Sequence, residues 1–217
     1  MTTEAVDREG FAAFMLRLRG RGMTNKTLLS AFEATPRRGF VPDQWKDVAW
    51  SDRMLPIPCG EALEGVDMQA LVISALDLTS STRVLEIGTG SGYTAAVMGR
   101  LAARVLTLER FKTLVTEARA RMEPLGISNV IMRHADGAHG LPAEGPFDRI
   151  VSWASFDTLP RGFVDQLSSG GVMVAPIGTA DAPQMLVRLT KTGSRFEEQE
   201  LGPIRLQPMA HGLAEIL

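Results

Sequence analysis

The spacing of apolar residues in the first third of the chain is that of amphipathic helices. Phe14 and Leu18 belong to a first helix predicted over residues 8–19. Two more helices are predicted before residue 80. Their apolar positions are Leu28, Leu29 and Phe32 for one, and Leu63, Val66, Ala70, Ile73 and Leu76 for the other. Thr24 is the predicted N-cap of the earlier one. Between them, two prolines in residues 54–60 predict an extended loop.

From residue 83 onward, short apolar runs alternate with helical patterns. Five runs predict strands, at residues 83–87, 104–109, 129–134, 147–152 and 171–177. Helices are expected over residues 92–102 and around Leu114, Ala118 and Met122. Residues 185–190 and 197–206 predict a closing antiparallel pair. This alternation is typical of a mostly parallel α/β sheet covered on both faces, in which ligands bind beyond the carboxyl ends of the strands.

The first of these strands runs into a glycine-rich turn. Gly88, Gly90 and Gly92 stand at alternate positions, and such a turn lets the backbone approach a ligand because no Cβ intervenes. Glu109 ends the next strand roughly 20 residues later, where a carboxylate can accept hydrogen bonds from ribose hydroxyls. The glycine spacing is one residue shorter than the dinucleotide fingerprint, and Glu86 precedes it. Both features favour a ligand without a pyrophosphate, such as an S-adenosyl compound, whose ammonium Glu86 could bind directly or through water.

Composition adds limits to this picture. The chain has 217 residues, 45% of them hydrophobic, which suits a single domain with a sizeable core. We divide it into a helical and acceptor-loop region, residues 1–80, and a donor-binding core with closing strands, residues 81–217. The formal net charge is −2, so no nucleic-acid partner is expected. Basic residues at positions 17, 19 and 21 and at positions 37–38 are expected on a solvated helix face or helix end.

The remaining signals concern location and metals. Cys59 is the single cysteine in the sequence, and the first residues lack the basic-then-apolar pattern of a secretory signal. No apolar run approaches the ~20 residues that span a bilayer. We therefore expect a cytoplasmic protein that does not bind membranes. Three scattered histidines do not form a metal-ligand pattern, so no metal is expected.

Several segments together resemble the protein-L-isoaspartate O-methyltransferase family, and the likeness covers nearly the whole chain. They are residues 31–42 (AFEATPRRGFVP), 52–57 (DRMLPI), 84–93 (VLEIGTGSGY), 136–137 (DG), 147–151 (FDRIV) and 167–178. The resemblance implies a seven-stranded, mostly parallel, doubly wound sheet of the Rossmann-like methyltransferase fold with N-terminal helices. It also implies S-adenosylmethionine as methyl donor, and as acceptor a carboxylate of a damaged aspartyl residue in a protein or peptide. The expected donor-binding residues are Glu86, Gly88, Thr89, Gly90, Ser91, Glu109, Arg110, Asp136 and Gly137, with Asp136 facing the adenine amino group.

The acceptor loop departs from the family pattern. Residues 60–64 read Gly-Glu-Ala-Leu-Glu, where the family usually has Gly-Gln-Thr-Ile-Ser, so the family's serine, which is associated with catalysis, aligns with Glu64. Two carboxylates ~4 Å apart at an effective dielectric of ~20 repel by about 4 kcal/mol, which opposes a carboxylate acceptor beside Glu64. Glu64 is therefore the candidate catalytic residue in two senses. It replaces the serine in isoaspartyl methylation, or it is the general base for a different, neutral or cationic acceptor, a small molecule included. A donor-binding domain without transfer is the third alternative.

Overall fold

Nine strands occur in the computed structural model, which describes residues 3–214. Two short ones, β1 (Leu55–Pro56) and β2 (Ala62–Leu63), form an antiparallel hairpin. The other seven are β3 (Arg83–Ile87), β4 (Arg104–Glu109), β5 (Val130–His134), β6 (Phe147–Ser152), β7 (Leu167–Ile177), β8 (Gln184–Thr192) and β9 (Arg195–Ile204). They form one sheet in the order β5-β4-β3-β6-β7-β8-β9.

The direction of the strands agrees with the prediction from the sequence. The five strands from β5 to β7 in this order are parallel, whereas β8 and β9 pair in antiparallel fashion. Strand order reverses at β3, because β4 and β5 lie on one side of it and β6 and β7 on the other. Ligands bind at such a switch point, beyond the carboxyl ends of the strands. The predicted seven-stranded, mostly parallel sheet is confirmed.

Five α-helices accompany the sheet within residues 3–214. They are α1 (Thr3–Gly20), α2 (Lys26–Glu33), α3 (Val66–Ala75), α4 (Tyr93–Gly99) and α5 (Lys112–Met122). All five contribute side chains to the larger core cluster, which Val84 of β3 also joins. Its neighbour Leu85 belongs to the second cluster, as the alternation of side chains along a strand requires. That second cluster lies against connecting loops and the 3₁₀ helix Arg161–Gln166.

Some predicted boundaries are wrong at the acceptor loop and at α2. Asn25, not Thr24, caps α2, since its Oδ1 accepts a 3.1 Å hydrogen bond from the backbone of Leu28. The third helix begins at Val66, because Leu63 pairs with Leu55 in the hairpin instead of extending the helix. The predicted loop at residues 54–60 therefore contains a strand. Two-residue strands are too short to produce a periodic pattern.

Element ends also differ further along the chain. Helix α4 spans seven residues and ends at Gly99, three residues before the predicted end at residue 102. Strand β7 begins at Leu167 rather than at residue 171, since two glycines at residues 170–171 masked its start. Strand β9 covers Arg195–Ile204, two residues earlier than predicted. No helix in the described part of the chain has the length and apolar character of a membrane span.

Two arginines that the sequence placed on solvated surfaces bind buried groups instead. Arg17 on α1 donates to both carboxylate oxygens of Asp67, which is fully buried at the start of α3. Arg37 is itself fully buried and donates to the backbone oxygens of Ala49 (2.7 Å) and Glu64 (2.5 Å). The prediction was wrong because these acceptors lie far away in sequence, and a charged side chain is buried only when its polar groups find partners.

Candidate active site

The glycine turn joins β3 to α4 at the switch point of the sheet. Gly88 has φ +92°, and a Cβ at this position would lie 3.2 Å from the Cβ of Trp153, which follows β6. Gly92 has φ +87°, and its Cβ would lie 2.8 Å from the Cβ of Ala118 on α5. Because Gly88 has no side chain, the segment after β6 can pack against it. For the same reason, α5 can pack closely against Gly92. Helix packing thus explains Gly92 without a ligand.

A cavity opens beside this turn, at the carboxyl ends of β3, β4 and β6. Its lining includes the acceptor loop at residues 61–64, Trp153, Ala154 and residues 207–210. Residues 207–214 are here called the C-terminal strap. Seven of the nine predicted donor-binding residues line the cavity: Gly88, Thr89, Gly90, Ser91, Glu109, Arg110 and Gly137. Glu64 lines it as well, whereas Glu86 and Asp136 lie behind its surface.

Glu109 is fixed at the cavity wall by the backbone. Its Oε2 accepts a hydrogen bond from the N–H of Gly90 at 2.9 Å, and its Oε1 accepts one from Phe111 at 3.0 Å. Burial raises the pKa of this carboxyl, and the backbone hydrogen bonds oppose that rise. Because each carboxylate oxygen has two lone pairs, Glu109 can still accept hydrogen bonds from two hydroxyls. This geometry suits a ribose ligand.

Glu86 is fully buried under the turn and holds two residues of the wall. Its Oε1 accepts hydrogen bonds from the Thr94 hydroxyl at 2.6 Å and from the indole N–H of Trp153 at 2.9 Å. Its Oε2 is buried and finds no hydrogen-bond partner within residues 3–214. Burial raises the pKa of Glu86 to about 7. An unsatisfied buried oxygen is costly, and an ammonium group or a bridging water at the cavity would satisfy it.

Asp136 contacts the strap through one of its two carboxylate oxygens. Oδ1 accepts a hydrogen bond from Ala138 at 2.8 Å, and Oδ2 accepts one from the N–H of Gly212 at 2.7 Å. Partial burial favours a higher pKa for Asp136, but these hydrogen bonds, with His211 and His139 nearby, bring the pKa below its ordinary value. The carboxylate is therefore charged and oriented beside the cavity, next to Gly137 in its wall.

The acceptor loop is a hairpin folded against the glycine turn. A 2.9 Å hydrogen bond from the N–H of Ile57 to the backbone oxygen of Glu61 joins its two strands. A Cβ added at Gly90 would lie 3.5 Å from the Cδ1 of Ile57, so this side chain packs against the turn. The hairpin brings Glu61, Ala62 and Glu64 into the cavity wall. Burial raises the pKa of Glu61, and burial raises the pKa of Glu64 to about 7 against the opposing effect of Arg37. Two acids thus face the cavity, and burial favours the protonated form of Glu64.

A buried cation, which no local sequence pattern predicts, lies beneath this loop. Arg37 donates to the carbonyl of Glu64 and to the side chain of Gln69, which lines the cavity. Its guanidinium carbon lies 4.6 Å from the ring centroid of Tyr93. Desolvation lowers the pKa of Arg37 to about 10, so the group stays charged at neutral pH. Arg37 therefore fixes the backbone of the acceptor loop at Glu64.

The C-terminal strap was also missed. Its residues Gln207 and Met209 bracket Ser155 through hydrogen bonds of 2.8 Å, from the Ser155 N–H to the oxygen of Gln207 and from the Met209 N–H to the oxygen of Ser155. Ala214 adds a 3.1 Å bond to the backbone oxygen of Arg110. Together with the hydrogen bond from Gly212 to Asp136, these bonds join the strap to the segments that follow β4, β5 and β6. Its sequence has neither helical nor strand periodicity, so nothing local predicts its course.

The strand order, the glycine turn and the carboxylates at the strand ends define a Rossmann-like methyltransferase fold. Among solved structures, a protein-L-isoaspartate O-methyltransferase aligns with a TM-score of 0.83 at 26% identity, covering 94% of this chain and 67% of the other. A structure from Plasmodium falciparum, described as a protein-L-isoaspartate O-methyltransferase in complex with S-adenosyl-L-homocysteine, aligns with a TM-score of 0.79 at 23% identity. It covers 91% of this chain and 97% of that chain.

The sequence comparisons give the family. The model for Protein-L-isoaspartate(D-aspartate) O-methyltransferase (PCMT) matches residues 9–213. A protein-L-isoaspartate O-methyltransferase of Rhizobium meliloti is 46% identical over 93% of this chain and 99% of its own length. One of Azorhizobium caulinodans is 43% identical over the full length of both proteins. The chain belongs to the protein-L-isoaspartate O-methyltransferase family.

Proposed function

We propose that this protein transfers a methyl group from S-adenosylmethionine to the isoaspartyl carboxylate of a damaged protein or peptide. One observation carries the proposal. The oriented carboxylate of Glu109 and the glycine turn share a single cavity with the acceptor loop. The relatives supply the acceptor class, because those at 46% and 43% identity are named for isoaspartyl methylation.

Two cavity residues, and Glu86 behind the cavity wall, fit the donor. Glu109 would accept hydrogen bonds from the ribose, and the buried Oε2 of Glu86 would accept one from the ammonium, directly or through water. The buried Nε of Arg110, which has no hydrogen-bond partner in the described part of the chain, would donate to a polar atom of the ligand. When bound, S-adenosylmethionine supplies an electrophilic methyl group on a sulfonium.

The main catalytic role of the protein would then be to position the acceptor carboxylate relative to the methyl group. A carboxylate acceptor is ionised at neutral pH and needs no general base, but it must approach the methyl in line at about 3 Å. The acceptor loop would orient it from one side, and Trp153 with the strap would confine it from the other. Burial favours the protonated form of Glu64, and this form would donate a hydrogen bond to the acceptor carboxylate and remove the like-charge repulsion.

The same acids also favour a second candidate function. Glu61 and Glu64 give the acceptor wall a negative character at high pH. A neutral or cationic nucleophile would be attracted to it, and a carboxyl with a pKa of about 7 suits a general base. Under this alternative the protein methylates an amine or hydroxyl acceptor, from a protein or a small molecule, with Glu64 removing the proton.

Labelled methyl transfer separates these functions. The protein is incubated with S-adenosylmethionine carrying a tritiated methyl group and with two peptides that differ in one residue, isoaspartyl in one and normal aspartyl in the other. We expect transfer to the isoaspartyl peptide alone, as a base-labile ester. Calorimetry with S-adenosylhomocysteine runs alongside. Binding without transfer to either peptide would reject isoaspartyl methylation and favour another acceptor or a donor-binding domain. Binding of NAD but of no S-adenosyl compound would reject the donor.

A further inference from the structure

A second cavity, of about 530 Å³, opens on the other side of the C-terminal strap. Pro208 and Met209 line both cavities, so the strap is their common wall. The segment after β6 is divided in the same way, since Ala154 lines the first cavity and Ser155 lines the second. The second cavity therefore begins one residue away from the wall of the proposed methyl-transfer site.

The rear wall of this cavity is rigid. The buried side chain of Gln166 accepts a 2.8 Å hydrogen bond from Leu141 and donates a 2.8 Å bond to the backbone oxygen of His139. A Cβ at Gly140 would lie 2.3 Å from the Oε1 of Gln166, so backbone and side chain are in close contact there. The 3₁₀ helix and the loop after β5 are thus locked together. This part of the cavity wall is therefore held by side-chain hydrogen bonds to the backbone.

The lining combines an aromatic, apolar part with polar groups, which include the buried Ser155 and Gln166 and the exposed Asp157 and Thr158. Phe156 and Phe163 meet edge to face at 5.6 Å, with Leu159 beside them. At the rim, the rings of His139 and His211 lie 5.7 Å apart, and both side chains are exposed. Pockets of this size with apolar walls and a few polar groups are typical of ligand sites. An aromatic or large aliphatic side chain fits this lining, with its backbone at the polar rim.

We propose that this cavity binds an apolar side chain, preferably aromatic, of the acceptor peptide, one or two residues from the methylated residue. The inference rests on the proposed function, because the occupant is part of the same substrate. An extended peptide advances about 3.3 Å per residue, so a neighbouring residue reaches across the strap while the acceptor residue enters the first cavity. The shared wall at Pro208 and Met209 gives this continuity.

Peptide binding to the protein saturated with S-adenosylhomocysteine tests the proposal without requiring turnover. Two series of fluorescein-labelled isoaspartyl peptides carry either phenylalanine or alanine at each position within two residues of the isoaspartate. Fluorescence anisotropy should show tighter binding of the phenylalanine peptide at one of these positions. We expect the preference to be about tenfold to a hundredfold, the scale for burying one aromatic side chain.

A variant that fills the second cavity tests whether the preference for the phenylalanine peptide arises there. Gly162 lines the second cavity, lacks a positive φ, and a Cβ there would meet no atom within 4 Å. Gly162→Phe should remove the preference while the affinities for the alanine peptide and for S-adenosylhomocysteine stay unchanged. Gly20→Phe is the matched control, since Gly20 at the end of α1 has the same open surroundings far from the cavity. The control should keep the wild-type preference.

The outcomes separate the two proposals. Equal binding of the phenylalanine and alanine peptides, absence of binding by both, or a preference that survives in Gly162→Phe would overturn the assignment of the cavity. Failure of methyl transfer to the alanine peptide, together with an intact preference for phenylalanine, would reject the proposed function alone. A preference lost in Gly20→Phe as well would show that the substitutions act through stability and would also overturn the assignment.

Discussion

The backbone N–H of Gly212 lies 2.7 Å from Oδ2 of Asp136 and donates a hydrogen bond to it. The residue that the sequence assigns to adenine is thereby the anchor of the C-terminal strap. Ala138 occupies one lone pair of the other oxygen, so the carboxylate retains two lone pairs for further donors. Asp136 can therefore couple the position of the strap to the contents of the donor cavity.

The first prediction is that Asp136→Ala releases the strap. A hydrogen bond to a charged group contributes about 1.5–3 kcal/mol, so amide exchange at residues 207–214 should become about ten to a hundred times faster. Hydrogen–deuterium exchange with mass spectrometry measures this. Asp181→Ala is the control, because Asp181 is exposed and its carboxylate accepts a hydrogen bond from Thr179 in another loop. Unchanged exchange in the strap would show that its other contacts suffice.

The second prediction concerns the base of the donor. If Asp136 also accepts a hydrogen bond from the exocyclic amino group of adenine, an S-adenosyl analogue without that group should bind the wild-type protein less well. The same analogue should lose little further affinity on Asp136→Ala. Titration calorimetry gives the affinity of each ligand for the wild type and for Asp136→Ala, and the four values show whether the two losses are coupled. Equal losses for the two ligands on mutation would restrict Asp136 to holding the strap.

The third prediction is that Glu109→Ala weakens binding of S-adenosylhomocysteine by about 1–3 kcal/mol, the scale for losing hydrogen bonds to a charged group. Part of the loss is indirect, because the N–H groups of Gly90 and Phe111 also lose their acceptor. Calorimetry gives the affinity. Glu33→Ala, an exposed glutamate at the end of α2, should bind like the wild type. An unchanged affinity in Glu109→Ala would remove the ribose assignment.

Local signals account for what the sequence predicted correctly. The run from β3 through the glycine turn, and the strand that ends at Glu109, are each specified by neighbouring residues: a β-branched run, glycines at positive φ and a polar strand end. Seven of nine donor-binding candidates meet in one cavity because parallel strands present their carboxyl ends at the same edge. Periodicity and turn chemistry contain this information.

Features that depend on distant partners could not be predicted in the same way. Trp153 and Glu86 are 67 positions apart, and Gly212 and Asp136 are 76 apart. The sequence predicts a solvated Arg37, because a charge next to another arginine carries no local sign of burial. These contacts exist only once the sheet has brought the segments together. They also determine the walls of both cavities, so the acceptor side was the least predictable part of the site.

The fourth prediction follows from the burial of Glu86. Its pKa is about 7 in the folded protein against an ordinary value of 4.5, so the folded state holds a proton that the unfolded state releases between these pH values. The free energy of unfolding should therefore fall as the pH rises from about 4.5 to about 7, by up to about 3 kcal/mol. Glu86→Gln keeps an oxygen for Thr94 and Trp153 and should make this slope shallower, while the contribution of Glu64, whose pKa is raised to the same value, remains.

Urea denaturation at a series of pH values measures the difference. Between low and neutral pH, the variant should lose less stability than the wild type does. An equal loss in the variant would mean that the slope has another source. Glu144→Gln offers the comparison, since Glu144 pairs with Arg133 at the surface, and it should leave the slope unchanged. An identical slope in Glu86→Gln and the wild type would contradict the prediction.

The fifth prediction concerns Glu64, where the chain departs from the family pattern. The pKa of Glu64 is raised to about 7, so the side chain becomes charged as the pH rises through 7, while an isoaspartyl acceptor is charged throughout. Like-charge repulsion should lower kcat/KM for the isoaspartyl peptide as the pH rises from 6 to 8. Glu64→Gln and Glu64→Ser should exceed the wild type at pH 8 and lose this dependence, and Ala62→Thr combined with Glu64→Ser should gain further by restoring polar contacts.

Two controls make the result specific. Glu86 titrates near the same pH, so Glu86→Gln should keep the pH dependence if Glu64 is its source. Calorimetry with S-adenosylhomocysteine should give similar affinities for the wild type and the Glu64 variants, because Glu64 lies in the acceptor loop. If activity instead rises with pH in the wild type and collapses in both Glu64→Gln and Glu64→Ser, then Glu64 acts as a general base. The acceptor would in that case be a neutral or cationic nucleophile, since a carboxylate needs no base.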